Sequence, residues 1–228
     1  MAKSMNFIDL PAAELWREGR SDFAIAGVTA LATVTIRIEM AIVLGTILSL
    51  VTYLHRTSRP SMRVMGFDST APERPFVVRA DVPAALPECP QLKMIRMEGE
   101  VYFGAVSHVA DHLRELRSAP GHARHLLVMA KSMNFIDLPA AELWRAELVA
   151  RRAMGGDLYF HRPRPPVLEL WDHVGYTAEL GQDHIFATKR IAIATIFERL
   201  DHRICAHCSV RVFSECAQLP PVTVAPSD

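Results

Sequence analysis

The 228-residue chain has no net formal charge, with 25 basic residues against 25 acidic ones. A nucleic-acid partner would call for a concentrated basic face, and the sequence offers none. Only four cysteines occur, and three of them, Cys205, Cys208 and Cys216, fall in the last stretch of chain. That sparse, lopsided distribution is not the disulfide framework of a small secreted domain and fits a reducing cytosol. There is no Gly-x-Ser-x-Gly elbow, phosphate loop or dinucleotide fingerprint. His108 and His112 stand four apart on an expected helix, but no Glu follows His108 as a metalloprotease requires, and a solvated helix face explains them. Gly155-Gly156 reads as a helix stop rather than a phosphate cradle. The polar residues therefore point to no enzyme active site.

What the chain does have is apolar material: half of its residues are hydrophobic and its mean hydropathy is +0.13. Phe23–Ile36 and Met40–Leu54 are two uncharged arms of 14 and 15 residues, separated by Arg37 and Glu39. As helices they would measure roughly 21–23 Å. A lone span across a core of about 30 Å needs about 20 residues, so two short arms around a polar turn predict a helical hairpin over residues 18–56. One long kinked helix and a buried hairpin of a soluble protein are the alternatives. Arg17 and Arg20 precede the first arm, and Arg56, Arg59 and Arg63 follow the second. Positive residues at both ends place both on the cytoplasmic side. A secretory leader does not fit, because the apolar run begins late and no small-x-small cleavage site follows it.

Residues 1–17 and 129–145 are the same string, MAKSMNFIDLPAAELWR. Two perfect copies without a third are not a solenoid. The second copy follows the strand-like Leu126-Leu127-Val128, so residues 129–145 are read as native context and residues 1–17 as displaced. Residues 57–91 are crowded with Pro60, Pro72, Pro75, Pro83, Pro87 and Pro90, which predicts a linker with at most an edge strand at Phe76–Arg79.

From Leu92 onward the pattern alternates. Leu92–Phe103 is strand material interrupted at Gly99, and Val106–Arg117 has helical spacing. His125–Ala130 is a continuous apolar run, as in a strand covered on both faces. Asp137 is placed to cap a helix reaching Met154, with Ala141, Trp144 and Leu148 on one face. A strand at Leu158–His161, a helix at Pro165–Val174 and a last helix at Thr188–Leu200 complete an α/β domain with a mostly covered sheet over residues 92–200. Residues 201–228 are left as a cysteine-containing tail. There Cys205-x-x-Cys208, Cys216 and His207 (or His202) have zinc-ligand character, with a second ligand pair that is incomplete. A redox-active thiol pair and inert cysteines are the other readings. Cys89, isolated between prolines, carries no reading of its own.

Met97-Glu98-Gly99-Glu100-Val101-Tyr102-Phe103-Gly104-Ala105 resembles a strand of the STAS domains of transporters. Leu127 to Trp144 resembles the strand, loop and helix that follow it, and His184-Ile185-Phe186-Ala187-Thr188 the stretch before the last helix. Leu44-Gly45 and Leu48-Ser49-Leu50 resemble the last two spans of SulP permeases. The chain thus resembles the C-terminal part of a SulP-family anion transporter. The resemblance implies a membrane hairpin followed by a STAS domain, in a protein that moves inorganic anions such as sulfate or bicarbonate. It implies a STAS domain on the cytoplasmic side of the inner (plasma) membrane, supporting assembly and regulation. Its partners would be the membrane, the remainder of the permease and a second protomer, and no cofactor is implied beyond zinc at the tail. Because the family's substrate-binding helices lie upstream, the chain alone is not expected to transport. The regulatory loop would comprise Asn134, Asp137 and Leu138. Relatives that act as phospho-switches carry Ser where this chain has Leu138, and leucine has no hydroxyl to phosphorylate. Asp137 is then either a plain helix cap or a regulatory contact. The rival readings are a membrane-tethered STAS interaction module and a metal or thiol sensor at the tail.

Overall fold

The computed structural model describes residues 27, 28, 30, 38–68, 70, 75–83, 85–119 and 121–219. The chain divides into two compact units, residues 1–56 and 57–228. In the first, helix α1 (Ile38–Thr57) is 20 residues long, about 30 Å at 1.5 Å per residue. The second apolar arm is therefore longer than its uncharged core. Glu39 enters at the first turn and His55 and Arg56 stay helical in the last, where each complements the helix dipole. Met40, Ile42, Val43, Ile47, Leu50, Val51 and Leu54 are all exposed. The expected first arm and turn, and the 1–17 copy, lie outside the described residues apart from three positions at 27, 28 and 30.

The second unit is built on a six-stranded sheet. Its strands are β1 (Ser61–Phe67), β2 (Phe76–Val78), β3 (Leu92–Glu98), β4 (His125–Ser132), β5 (Leu158–His161) and β6 (Ile185–Phe186), in the order β2-β1-β3-β4-β5-β6. β1 runs antiparallel to β2 and β3, with Met65 opposite Val78 and Val64 opposite Ile95. β3 to β6 are parallel, so Ile95, Val128, Phe160 and Ile185 lie side by side. β1 corrects the expectation of a linker over residues 57–91. The prolines there flank residues 61–67 without entering them, so the segment keeps every N–H that the ladder needs. The expected edge strand is present as β2.

Strand alternation gives the sheet two apolar faces. On β4, Leu126, Val128 and Ala130 enter one core and Leu127 and Met129 the other. Helices α2 (Phe103–Ser118), α3 (Leu138–Ala153), α4 (Pro165–His173) and α5 (Tyr176–Leu180) cover the first face. Val109, Leu113, Trp144, Leu148, Trp171 and Tyr176 fill that core. Helix α6 (Lys189–Arg199) covers the other face with Ala192, Ile193, Ile196 and Phe197. The tail beyond it is part of that core, not an appendage. Helix α7 (His202–His207) follows, and Cys205, Val212, Phe213 and Cys216 are buried against the sheet.

α3 ends where Gly155 turns to φ +73. Gly156 then passes so close to the next element that a Cβ would stand 2.1 Å from the carbonyl oxygen of Arg124. Only glycine permits that approach. On the same helix Arg151 is fully buried. Its Nε donates to Glu147 Oε1 at 2.7 Å and its Nη1 to the carbonyl of Ala123 at 2.7 Å, while Arg117 bonds the other Glu147 oxygen. Burial pushes the Arg151 pKa down to about 10. The guanidinium still stays charged at neutral pH, because Glu147 compensates it.

Three histidines sit in surroundings that disfavour their charged form. Burial lowers the pKa of His112, His125 and His161, and a neighbouring positive charge lowers each further. At Asp157, burial raises the carboxyl pKa but hydrogen bonds from His184 and the Leu158 N–H outweigh it, leaving the pKa below its usual value. In each case the native state holds fewer protons than the unfolded chain over the window between the two pKa values. The histidine contribution is present above about 6.5 and lost as pH falls below it; the carboxylate contribution is lost below about 4. The melting temperature of the detergent-solubilised chain should therefore fall as pH drops from 7.5 to 5, and fall again below 4. A midpoint that is flat or rising between pH 7.5 and 5 would contradict this assignment.

Candidate functional site

The segment that ends β4 and starts α3 holds the loop picked out by sequence. Gly99, at φ +109, turns the chain out of β3, and its N–H donates to the carbonyl of Ser132 at 3.2 Å. Val101 N–H then donates to the carbonyl of Phe135 at 3.0 Å, and Val101 pairs with Ile136 as an isolated parallel bridge. The β3–α2 and β4–α3 connections are thereby tied together at the carboxyl ends of their strands.

Asp137 closes this junction. Its Oδ1 accepts from Ala140 N–H at 3.0 Å, the N-cap bond of α3. Its Oδ2 accepts from Phe103 N–H at 2.7 Å, the first amide of α2. One carboxylate thus satisfies donors at two helix N-termini, where negative charge is also favoured by both dipoles. The cap expected from sequence is present, and the second bond, to a helix 34 residues earlier, had no local signal. Tyr102, just before Phe103, anchors the start of α2 from the other side: its hydroxyl lies 2.8 Å from Thr57 Oγ1.

Around the capped carboxylate, buried and exposed residues are interleaved. Met133 and Ile136 are buried. Asn134, Phe135 and Leu138 are exposed, and Phe103 beside them is 74% exposed. Asn134, Asp137 and Leu138 all lie on the segment between β4 and the first turn of α3. The structure adds Phe103 and Phe135, which sequence reasoning missed because neither carried a surface reading of its own. Three exposed apolar side chains, Phe103, Phe135 and Leu138, thus flank a junction held by backbone and Asp137 hydrogen bonds. Leu138 presents no hydroxyl there, so the junction has no phosphorylatable side chain at that position.

The tail gives a different result. Among the described residues no group of three or more His, Cys, Asp or Glu side chains is arranged to hold a metal ion. The expected zinc set is not assembled: His207 Nδ1 lies 2.9 Å from the carbonyl of Arg203 within its own helix, while Cys205 and Cys216 point into the core. His108 is exposed on α2, and His112 Nδ1 approaches Glu115 at 4.0 Å. A further cluster lies around His184, which is buried with Nε2 2.9 Å from Asp157 Oδ2 and Nδ1 2.9 Å from Asp183 Oδ1. Its ring stacks on Tyr159 with centroids 5.0 Å apart, and Arg199 closes the group onto Asp183. Each polar atom of that ring has a partner, which fits a structural network.

The family model of the STAS domain matches residues 84–192. The chain is 23% identical over 195 residues to probable sulfate transporter 4.2 of Arabidopsis thaliana, covering 78% of this chain and 28% of that protein. It is 24% identical over 146 residues to the chloroplastic sulfate transporter 4.1 of the same plant, covering 61% and 20%. The chain thus spans about a quarter of the length of the curated relatives it matches. Among solved structures, that of the murine Slc26a9 anion transporter in the inward-facing state superposes with a TM-score of 0.69. It covers 83% of this chain and 31% of its own at 13% identity, a likeness of fold.

The double cap gives a direct expectation. Asp137→Ala should cost about 1–2 kcal/mol in urea denaturation, the upper half of the range for losing an N-cap. Asp137→Asn, which keeps an acceptor for Ala140, should cost less than half of that, and Leu138→Ser close to nothing. Equal losses for the Ala and Asn variants would show that the charge alone matters, not the capping geometry.

Proposed function

The chain carries a STAS domain of the SulP anion-transporter family, and from that premise we propose that it works as the C-terminal, regulatory portion of an inorganic-oxyanion transporter. The observation that carries this reading is the pairing of two parts in one sequence: a STAS domain and a 20-residue apolar helix with almost none of its surface buried. A helix of that length matches the hydrocarbon core of a bilayer. Arg56 and Arg59 directly follow the apolar stretch of α1, and such residues favour the cytoplasmic side. In this reading α1 and the apolar arm before it form the last two spans of the transporter, with the STAS domain in the cytoplasm. The names of the relatives favour sulfate or a similar oxyanion as the transported species.

The STAS domain acts here by docking rather than by chemistry. Phe103, Phe135 and Leu138 form the contact surface, and Asp137 fixes its shape. The partner is another part of the transporter or a second protomer. Phospho-switching at position 138 is ruled out by the leucine side chain itself. Transport needs membrane segments besides α1 and the arm before it, because two helices cannot enclose a polar path across the bilayer. The domain has no catalytic role in this account.

The reading is tested by expressing the chain and separating membranes. It should pellet with the membrane, resist alkaline carbonate extraction, and give no sulfate uptake when reconstituted alone into liposomes. A water-soluble monomer without detergent would overturn the membrane assignment. Sulfate accumulation by vesicles holding only this chain would overturn the assignment as a non-transporting part.

A further inference from the structure

All four cysteines of the chain, far apart in sequence, meet in one place. Cys89, Cys205, Cys208 and Cys216 line a single internal cavity of about 10 Å³ between the loop leading into β3 and the tail. That is room for about one water molecule. Gln91 fastens the two segments: its Nε2 donates to the carbonyl of Asp201 at 3.0 Å and to Cys205 Sγ at 3.1 Å, while its Oε1 accepts from Asp201 N–H at 3.0 Å. All four thiols are free.

Cys208 differs from the others in where else it lies. It also lines an open surface cleft of about 580 Å³, beside Arg203 and His207. The other three cysteines do not line that cleft. Cys208 thus lines both a solvent-facing cleft that also holds Arg203 and the cavity it shares with three further thiols. The Arg203 guanidinium lining the cleft attracts anions. A thiol on an open cleft with further thiols lining the same cavity is what a two-step disulfide exchange requires.

We propose that Cys208 is a thiol-exchange site for an anionic low-molecular-weight disulfide, resolved by a neighbouring cysteine of the same cavity into an internal disulfide. In the first step the Cys208 thiolate attacks one sulfur of the small disulfide. That S–S bond breaks, one half leaves as a thiolate, and a mixed disulfide forms on Cys208. In the second step an inner thiol loses its proton to solvent base and attacks Cys208 Sγ. The second half leaves as a thiolate, and the protein disulfide closes. Two protein thiols are oxidised and one small disulfide is reduced to two thiols.

Burial pushes the Cys89 thiol up to about 11 and raises Cys205 and Cys216 as well. The second step is thus the slow one and should speed up with pH. A bond from Cys208 to Cys89 would staple the tail to the entry of β3 across the second core face. A bond to Cys205 or Cys216 would lock the tail on itself.

The test treats the purified, fully reduced chain in detergent with oxidised glutathione. Remaining thiols are then alkylated, and the intact chain and its peptides are read by mass spectrometry. The expected result is the loss of two alkylatable thiols without retained glutathione, and a linked peptide pair containing Cys208. Closure should be several-fold faster at pH 8.5 than at pH 7, and at least tenfold slower in both Cys208→Ser and Cys208→Ala. Mapping in the unmodified sequence needs no variant to fold. A glutathione adduct that persists on Cys208, a linked pair lacking Cys208, or unchanged closure in the two variants would overturn the proposal.

Discussion

A single carboxylate ties the starts of two helices of this domain together. Asp137 accepts one amide from the start of α3 and one from the start of α2, so two helices that cross the same sheet face begin at a shared point. Each helix N-terminus leaves donors unsatisfied and carries partial positive charge. Meeting two of them with one anion removes both problems at once. The residues on either side of Asp137 divide between core and surface. Met133 and Ile136 enter the core, and Phe135, Leu138 and Phe103 face outward. These exposed apolar side chains flank the cap and the β-bridge between Val101 and Ile136.

β4 is flanked by parallel neighbours on both sides, and its residues alternate between two separate cores. The 17-residue string that occurs twice in the sequence illustrates the point. Its second copy begins inside β4 at Met129, after Leu126, Leu127 and Val128 have already been paired with β3 and β5. Strand structure in that copy depends on Leu126, Leu127 and Val128, which come before it, and on their partners in β3 and β5. Identical letters carry no instruction to form a strand without paired neighbours.

Much of this was readable from residue spacing. The helix stop at Gly155-Gly156, the cap at Asp137, the short strand at Leu158–His161 and the continuous apolar run of β4 all follow local rules. What local rules did not reveal depends on distant partners. β1 looked like linker because prolines surround it, yet none of them falls between Ser61 and Phe67. The tail looked like an appendage because its apolar residues, Val212 and Phe213, are few and follow no helical period. They are core because α6 leaves part of the second sheet face for them to cover. Cys89 looked incidental because its cavity partners lie more than a hundred residues away. Phe103 and Phe135 carried no surface reading of their own, since nothing in a sequence distinguishes an exposed phenylalanine from a buried one. The resemblance to STAS domains pointed to the β4–α3 loop, and the surface that loop presents belongs to this chain's own side chains.

The central claim is that one aspartate holds two helices, and amide hydrogen exchange measures that without reference to any partner. In the native chain the amides of Phe103 and Ala140 should both be protected, since each donates to Asp137, and in Asp137→Ala both should lose protection together while amides in the middle of β4 keep theirs. Loss at Ala140 alone, with Phe103 unchanged, would show an ordinary single cap and would contradict the account.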